Sequence, residues 1–213
     1  MEPNRVRARE LAAESRISGD PTGWFEQLYQ EHEHGPKVVP WADLGVNPNL
    51  LEFAGAGKRA LTVGCGFGDD AEQLARWGFE TTAFDVSPSA IRACKKRFPG
   101  SAVNYVAADV LDPPEEWTGR FDFVLEVYTL QVLPAELRPR AIRGLAGFLK
   151  KDGMILLIAR GREEQEPEGL MPWPLTRREL GEFVAAGLRE ESLEDYFDNE
   201  SPPVRRFRAI YVK

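Results

Sequence analysis

Apolar residues fall in short runs that alternate with stretches of helical spacing from residue 59 onward. The first run, Arg59 to Val63, reads as a buried strand. It breaks into Gly64-Cys65-Gly66-Phe67-Gly68 and then into Asp69–Trp77, where Ala71, Leu74 and Ala75 share one side of a helix. A second short strand, Thr81 to Phe84, ends in Asp85. Ser87 or Ser89 caps a helix reaching Phe98, and a third strand, Ala102–Ala107, leads to Asp109. The fourth strand, Phe121–Leu125, ends in Glu126, and a helix follows over about Pro134–Leu149. The fifth, Met154–Ala159, is continuously apolar, as a central strand covered on both faces should be. Beyond a long Gly-, Glu- and Pro-rich loop, Arg160–Pro174, Thr176 and Glu179 form a capping box for a helix over Arg177–Ala186. Strands Arg189–Phe197 and Val204–Val212, around a polar Asp198–Pro203 turn, close the chain as a hairpin. The alternation predicts an α/β fold: a doubly wound, mostly parallel seven-stranded sheet with an antiparallel C-terminal hairpin.

The N-terminal part reads differently. Residues 1–23 are polar and charged and predict a frayed helix ending at Ser18-Gly19-Asp20-Pro21. A helix over Trp24–His34, capped by Thr22 or Asp20, carries an aromatic face of Trp24, Phe25, Leu28 and Tyr29. A Pro-, Gly- and Asn-bearing connection from Pro40 to Leu51 precedes a helix that ends at Gly55-Ala56-Gly57. No internal repeat is visible, and the reading is one domain over 1–213, with 1–55 an N-terminal helical segment and 56–213 the α/β core.

Composition narrows the class. The chain has 213 residues, enough for one α/β domain with a sizeable core, and a net charge of −7. That balance argues for a soluble protein and against nucleic acid as a partner, since phosphate binding needs a basic face. No apolar run approaches a membrane span, and the start lacks the apolar stretch of a secretory signal, so a cytoplasmic protein that does not engage membrane is expected. Two cysteines, Cys65 and Cys94, are too few for a disulfide framework or a metal cage. His32 and His34 stand two apart, point away from each other on a helix, and have no third histidine, so no metal is expected.

The chemistry gathers at the strand ends. Glycines permit positive φ and leave no Cβ where backbone must approach a ligand. The dinucleotide fingerprint wants Gly-x-Gly-x-x-Gly, but here the glycines are 64, 66 and 68, and position 69 is Asp. Asp69 and Asp70 open the helix where a pyrophosphate would sit and would repel it; a ligand with a sulfonium and an ammonium would not be repelled. This opposes a dehydrogenase. Asp85 lies about 20 residues past Gly64, where an acid meets ribose hydroxyls. Asp109 could reach an adenine amino group or serve as a turn cap. Gly64–Gly68, Asp85, Asp109 and Glu126–Tyr128 each directly follow a strand and so share one rim. The Arg160–Pro174 loop, with Met171 and Trp173, reads as a lid or substrate wall at that rim, and Trp41 as a core plug or a pocket residue.

Over Arg59–Arg160 the chain resembles the class I S-adenosylmethionine-dependent methyltransferases, through Val-Gly-Cys-Gly-Phe-Gly, Asp85, Ala-Asp109-Val and Phe-Asp-Phe-Val-Leu-Glu126. Trp24…Tyr29, Gly35…Pro40-Trp41-Ala42-Asp43-Leu44-Gly45 and Pro48…Leu51 look like the N-terminal segment of the thiopurine, thiol and halide methyltransferase group. The tail, Met171-Pro-Trp-Pro-Leu…Glu179-Leu180 to Arg208-Ala-Ile-Tyr, is similar to the tellurite-resistance methyltransferases. The resemblance implies a Rossmann-like methyltransferase fold and S-adenosylmethionine as cofactor. It places Gly64, Cys65, Gly66, Gly68, Asp85, Val86, Asp109, Val110, Glu126 and Trp41 at the cofactor, and Tyr128, Arg160 and Trp173 at the acceptor. The expected reaction moves a methyl group to a small-molecule acceptor, a thiol or other soft nucleophile. A thiolate would need little base help, whereas an oxygen acceptor would call on Glu126, Asp43 or a histidine. A methyltransferase acting on protein or RNA, and a non-catalytic cofactor-binding protein, are the alternatives; a monomer or homodimer is expected. The histidine doublet and the Arg160–Pro174 loop depart from these families.

Overall fold

The computed structural model describes residues 2–33, 39–42, 44–51 and 58–213. The expectations that fall on His34, Asp43 and the helix ending at Gly57 lie outside the described residues. Five parallel strands run through β1 (Arg59–Val63), β2 (Glu80–Asp85), β3 (Asn104–Ala107), β4 (Phe121–Val127) and β5 (Leu149–Arg160). The hairpin of β6 (Arg189–Phe197) and β7 (Arg205–Val212) adds an antiparallel edge, with β7 against β5. The spatial order is β3-β2-β1-β4-β5-β7-β6. Strand order reverses between β1 and β4, and the crevice beyond the carboxyl ends of these strands is where such sheets bind ligands.

Helices cover both faces. Those of α6 (Arg138–Phe148) and α7 (Arg177–Ala185) bury Ile142, Leu145, Leu180 and Phe183 against Leu61, Val63, Val124 and Leu157. On the other face Leu50 of α3 (Pro48–Leu51) and Leu74 of α4 (Asp69–Arg76) meet Ala60, Phe123, Leu125 and Leu156. Alongside, α5 (Pro88–Arg97) packs Ile91 and Cys94 on Ala83 and Tyr105. The capping box at Thr176 and Glu179 is present, and Ser87 caps α5 by accepting from Ala90 N–H at 3.0 Å. No described helix is long and apolar enough to cross a membrane.

Two elements differ from the reading of the sequence. The first helix, α1 (Glu2–Ile17), is not frayed: Ala8, Leu11 and Ala12 are buried with Trp24, Leu28 and Tyr29 of α2 (Gly23–Glu33). Its apolar stripe is only alanines and one leucine amid charge, too sparse to register as amphipathic without its partner helix. Arg7 Nη2 donates to Glu31 at 2.7 Å and fastens the pair. Strand β4 runs past Leu125 to Val127, because Glu126 and Val127 stay in register with Leu157 and Ile158.

The α1–α2 pair is pinned over the sheet rim by one carboxylate. Glu26 on α2 accepts from Ser87 Oγ at 2.6 Å, Ser89 N–H at 3.0 Å and Ser89 Oγ at 2.7 Å. It is a second cap for α5, supplied from another helix. Burial works against its charge, but these bonds outweigh burial and hold the carboxyl below the usual range. Glu26→Ala should destabilise the fold by about 2 kcal/mol, the cost of a charge-assisted network, and speed amide exchange across α2. Unchanged urea unfolding and unchanged exchange would contradict this pinning role.

Candidate active site

The rim is built on the turn after β1. Cys65 N–H donates to Phe84 C=O at 2.8 Å, tying the turn to β2. Gly66 N–H then donates to Asp85 Oδ2 at 3.0 Å, and Ser87 N–H to Asp85 Oδ1 at 2.9 Å. Both oxygens of one carboxylate therefore knit the glycine turn to the corner where β2 meets α5. Burial pushes the Asp85 pKa up to about 6; the two N–H bonds oppose the rise and Glu26 adds to it. At neutral pH the group is anionic, and each oxygen keeps a lone pair for a further donor.

Gly64 and Gly66 have φ of +56° and +54°, a region costly for residues with a Cβ. A Cβ at Gly64 would land on the Thr129 hydroxyl, whereas one at Gly66 would meet only Tyr29 Oη, at 3.3 Å. Gly64 is bare for packing; Gly66 leaves backbone open beneath Tyr29. That tyrosine is buried, and burial together with the Asp85 charge raises its pKa well above the ordinary value. Its hydroxyl accepts from Trp41 Nε1 at 3.3 Å, and its ring stands edge-on to Phe67 at 5.3 Å. In sequence Tyr29 is one more aromatic on a helix face; the signal for more is its hydroxyl, which must find a partner once buried.

The remaining expected cofactor residues divide. Gly68 caps α4 with φ +90°, and Val86 is half-buried at the β2–α5 corner. Asp109 takes the turn-cap role, Oδ1 accepting from Leu111 N–H at 2.8 Å, while Oδ2 lies 3.5 Å from Thr22 Oγ1 just before α2. Cys65 offers the site only its backbone. Its thiol packs with Ala71, Ile91 and Cys94, and a hydrogen bond with Cys94, then burial, pushes its pKa well up. Val110 is buried against the core that holds Leu61, Val63 and Phe84, so its side chain is a packing group.

Glu126 is fully buried near the end of β4, level with Val63 at the end of β1. Its Oε1 accepts from Thr129 N–H at 2.7 Å and Leu130 N–H at 2.9 Å, and Oε2 has no partner among the described residues. Burial lifts its pKa to about 7. The acids opening α4 are likewise engaged by protein. Arg97 holds Asp69 bidentately at 2.8 and 2.9 Å, and Asp70 accepts from Asn47 N–H at 2.7 Å, with burial raising its pKa to about 6. Their repulsion of a pyrophosphate is therefore weaker than two free charges would give.

The acceptor-side residues come together through Gln131, which the sequence did not single out. This buried residue accepts from Arg160 N–H on Oε1 and from Trp173 N–H on its backbone oxygen, each at 2.7 Å. Tyr128 sits beside it with φ +61°, a strained conformation of the kind that clusters at functional sites. Trp41 stands edge-on to Trp24 at 5.9 Å and Phe25 at 6.2 Å. Trp173, Met171 and Phe67 join the same cluster. The N-terminal segment, the glycine turn and the Arg160–Pro174 loop thus close on one another in a single apolar contact.

Residues 60–153 match the family described as a methyltransferase domain. The ubiquinone biosynthesis O-methyltransferase of Xanthomonas axonopodis pv. citri is 34% identical over 125 residues, covering 55% of this chain and 51% of that protein. The chain thus spans about half the length of the curated relatives it matches. Among solved structures, one concerned with the conversion of a disulfide bond into a thioacetal group during echinomycin biosynthesis superposes with a TM-score of 0.74 at 20% identity, over 90% of this chain and 91% of that one. A TehB-like S-adenosylmethionine-dependent methyltransferase from Corynebacterium glutamicum gives 0.64 at 18% identity, over 89% and 98%.

The position of Glu126 generates a pH dependence. Its pKa lies above the ordinary 4.5, so the folded state binds the proton more tightly than the unfolded chain. Its contribution to stability is therefore greatest below about 4.5 and falls as pH rises to about 7. Between pH 5 and 8 the native protein should lose roughly 2.5 kcal/mol more than Glu126→Gln. Urea midpoints at the two pH values check this; equal losses would contradict it.

Proposed function

We propose that this protein, whose α/β core is a class I S-adenosylmethionine-dependent methyltransferase domain, moves a methyl group from that cofactor to a small-molecule acceptor at the closed rim. Residues 1–55 act as the closing segment and 56–213 as the core of one catalytic unit. The observation that carries the reading is the open backbone at Gly66 beside the Asp85 carboxylate, roofed by Tyr29 and Trp41. The small-molecule acceptor draws support from the ubiquinone biosynthesis O-methyltransferases.

The residues present fit the cofactor. Open backbone at Gly66 allows close approach, Asp85 has lone pairs for two ribose hydroxyls, Trp41 reaches the same corner through Tyr29, and Gly64, Gly68, Val86 and Asp109 shape the surrounding turns. When bound, S-adenosylmethionine supplies an electrophilic methyl on a sulfonium. The chain's own contribution is orientation and exclusion of water: the aromatic cluster covers the rim, and Tyr128, Arg160 and Trp173 wall its other side. Holding two reactants in line can account for about 7–11 kcal/mol of a barrier. Glu126, one of the bases the sequence offers for an oxygen acceptor, is fully buried. A thiol or other soft nucleophile, partly ionised near neutral pH, needs no such base, and it is the acceptor we favour.

Asp85→Ala should weaken binding of S-adenosylhomocysteine by about 2 kcal/mol, roughly 30-fold, as buried hydroxyls lose a charged acceptor. Unchanged affinity in that variant would remove Asp85 from the cofactor site. Transfer of labelled methyl from S-adenosylmethionine to a panel of small thiols and phenols tests the activity itself. The reading predicts labelled product with thiols foremost, and no transfer to any member would contradict it.

A further inference from the structure

One corner of the rim carries more positive charge than the described residues balance. Arg160 ends β5, and Arg206 on β7 stands opposite it in the antiparallel ladder. Arg206 is buried and fully engaged: Nε donates to Asp198 at 2.7 Å, Nη2 pairs with Glu200, and its guanidinium lies 5.0 Å from the Tyr128 ring. Arg160 is half-buried, yet its side chain has no hydrogen bond or ion pair among the described residues; only its backbone N–H is held, by Gln131. Arg5 on α1 is also half-buried and unpaired among the described residues. It lies one helical turn before Arg9, whose Nε donates to Met171 C=O at 2.8 Å, so that face of α1 looks onto the Arg160–Pro174 loop. Burial first, then the charges of Arg206 and Arg5, lowers the Arg160 pKa. Among the described residues three guanidinium groups thus face two carboxylates, and one positive charge is left over near Tyr128.

We propose that Arg160, assisted by Arg5, binds a carboxylate on the methyl acceptor, so that the substrate class is small monoanionic acids bearing a soft nucleophile; this rests on the methyltransferase reading above. A guanidinium presents a planar pair of donors that a carboxylate fills bidentately. A half-buried cation without a partner is costly until an anion arrives. The single surplus charge matches a monoanion rather than a phosphate dianion. Arg160 ends a strand two places from β1, about 10 Å at the usual strand spacing. A single aromatic or short aliphatic acid can bridge that distance to the glycine turn. The departure of the Arg160–Pro174 loop from the resembled families falls at this wall.

The test compares 3-(mercaptomethyl)benzoate with benzyl mercaptan, whose thiols stay protonated at neutral pH, as methyl acceptors and as ligands titrated calorimetrically into protein saturated with S-adenosylhomocysteine. The acid should bind at least tenfold more tightly and show the lower KM. Arg160→Gln should abolish the acid-to-neutral ratio, Arg160→Lys should restore it in part, and Arg5→Gln should reduce it. Arg16→Gln, a solvent-facing change on α1, should leave the ratio alone. Unchanged S-adenosylhomocysteine affinity in each variant certifies its fold. Equal binding of acid and neutral thiol, no binding of the acid, or a ratio that survives Arg160→Gln would overturn the proposal. Failure of the native protein to bind S-adenosylhomocysteine would instead strike the methyltransferase reading.

Discussion

The two N–H bonds that Asp85 accepts, from Gly66 and Ser87, join the glycine turn to the β2–α5 corner, and the helix that carries Tyr29 over the turn is fastened to that corner. Ser87 and Ser89 also hold Glu26, so the helix carrying Trp24 and Tyr29 is positioned by the residues that position Asp85. Two carboxylates in one corner repel each other, and the structure tolerates them because each is surrounded by donors. Asp85 is left anionic at neutral pH but with a raised pKa, as befits a buried group with room for further donors.

The other half of the rim follows the same logic with the opposite sign. Gln131, just past β4, spends its side chain on Arg160 and its carbonyl on Trp173, so the end of β5 and the returning loop are set by one residue. Arg206 is neutralised from the hairpin turn, whereas the Arg160 side chain has no ion pair among the described residues. The apolar cluster holding Trp24, Trp41, Met171 and Trp173 joins the N-terminal helices to the Arg160–Pro174 loop.

Much of this was legible in the chain itself. The strands, the Ser87 cap, the Thr176 capping box and the C-terminal hairpin follow from local periodicity and cap chemistry, which act over a few residues. What stayed hidden depends on contacts far apart in sequence. Glu126 is buried and accepts from Thr129 and Leu130 because the register of β4 with Leu157 sets its depth, which spacing within one strand does not reveal. Cys65 sits in the turn, but its thiol faces Cys94, which spacing cannot reveal. Glu26 is one acid among several on a polar helix face, and only the placement of α2 over Ser87 gives it a task. Asp69 and Asp70 were read as free charges because Arg97 and Asn47 are distant in sequence.

The most direct test is a calorimetric titration of the intact protein with S-adenosylhomocysteine, run beside an identical titration with NAD. An open glycine turn at Gly66, next to Asp85 and beneath Tyr29, predicts saturable binding of S-adenosylhomocysteine alone. A folded protein that ignores S-adenosylhomocysteine, or that takes NAD equally well, would contradict the account.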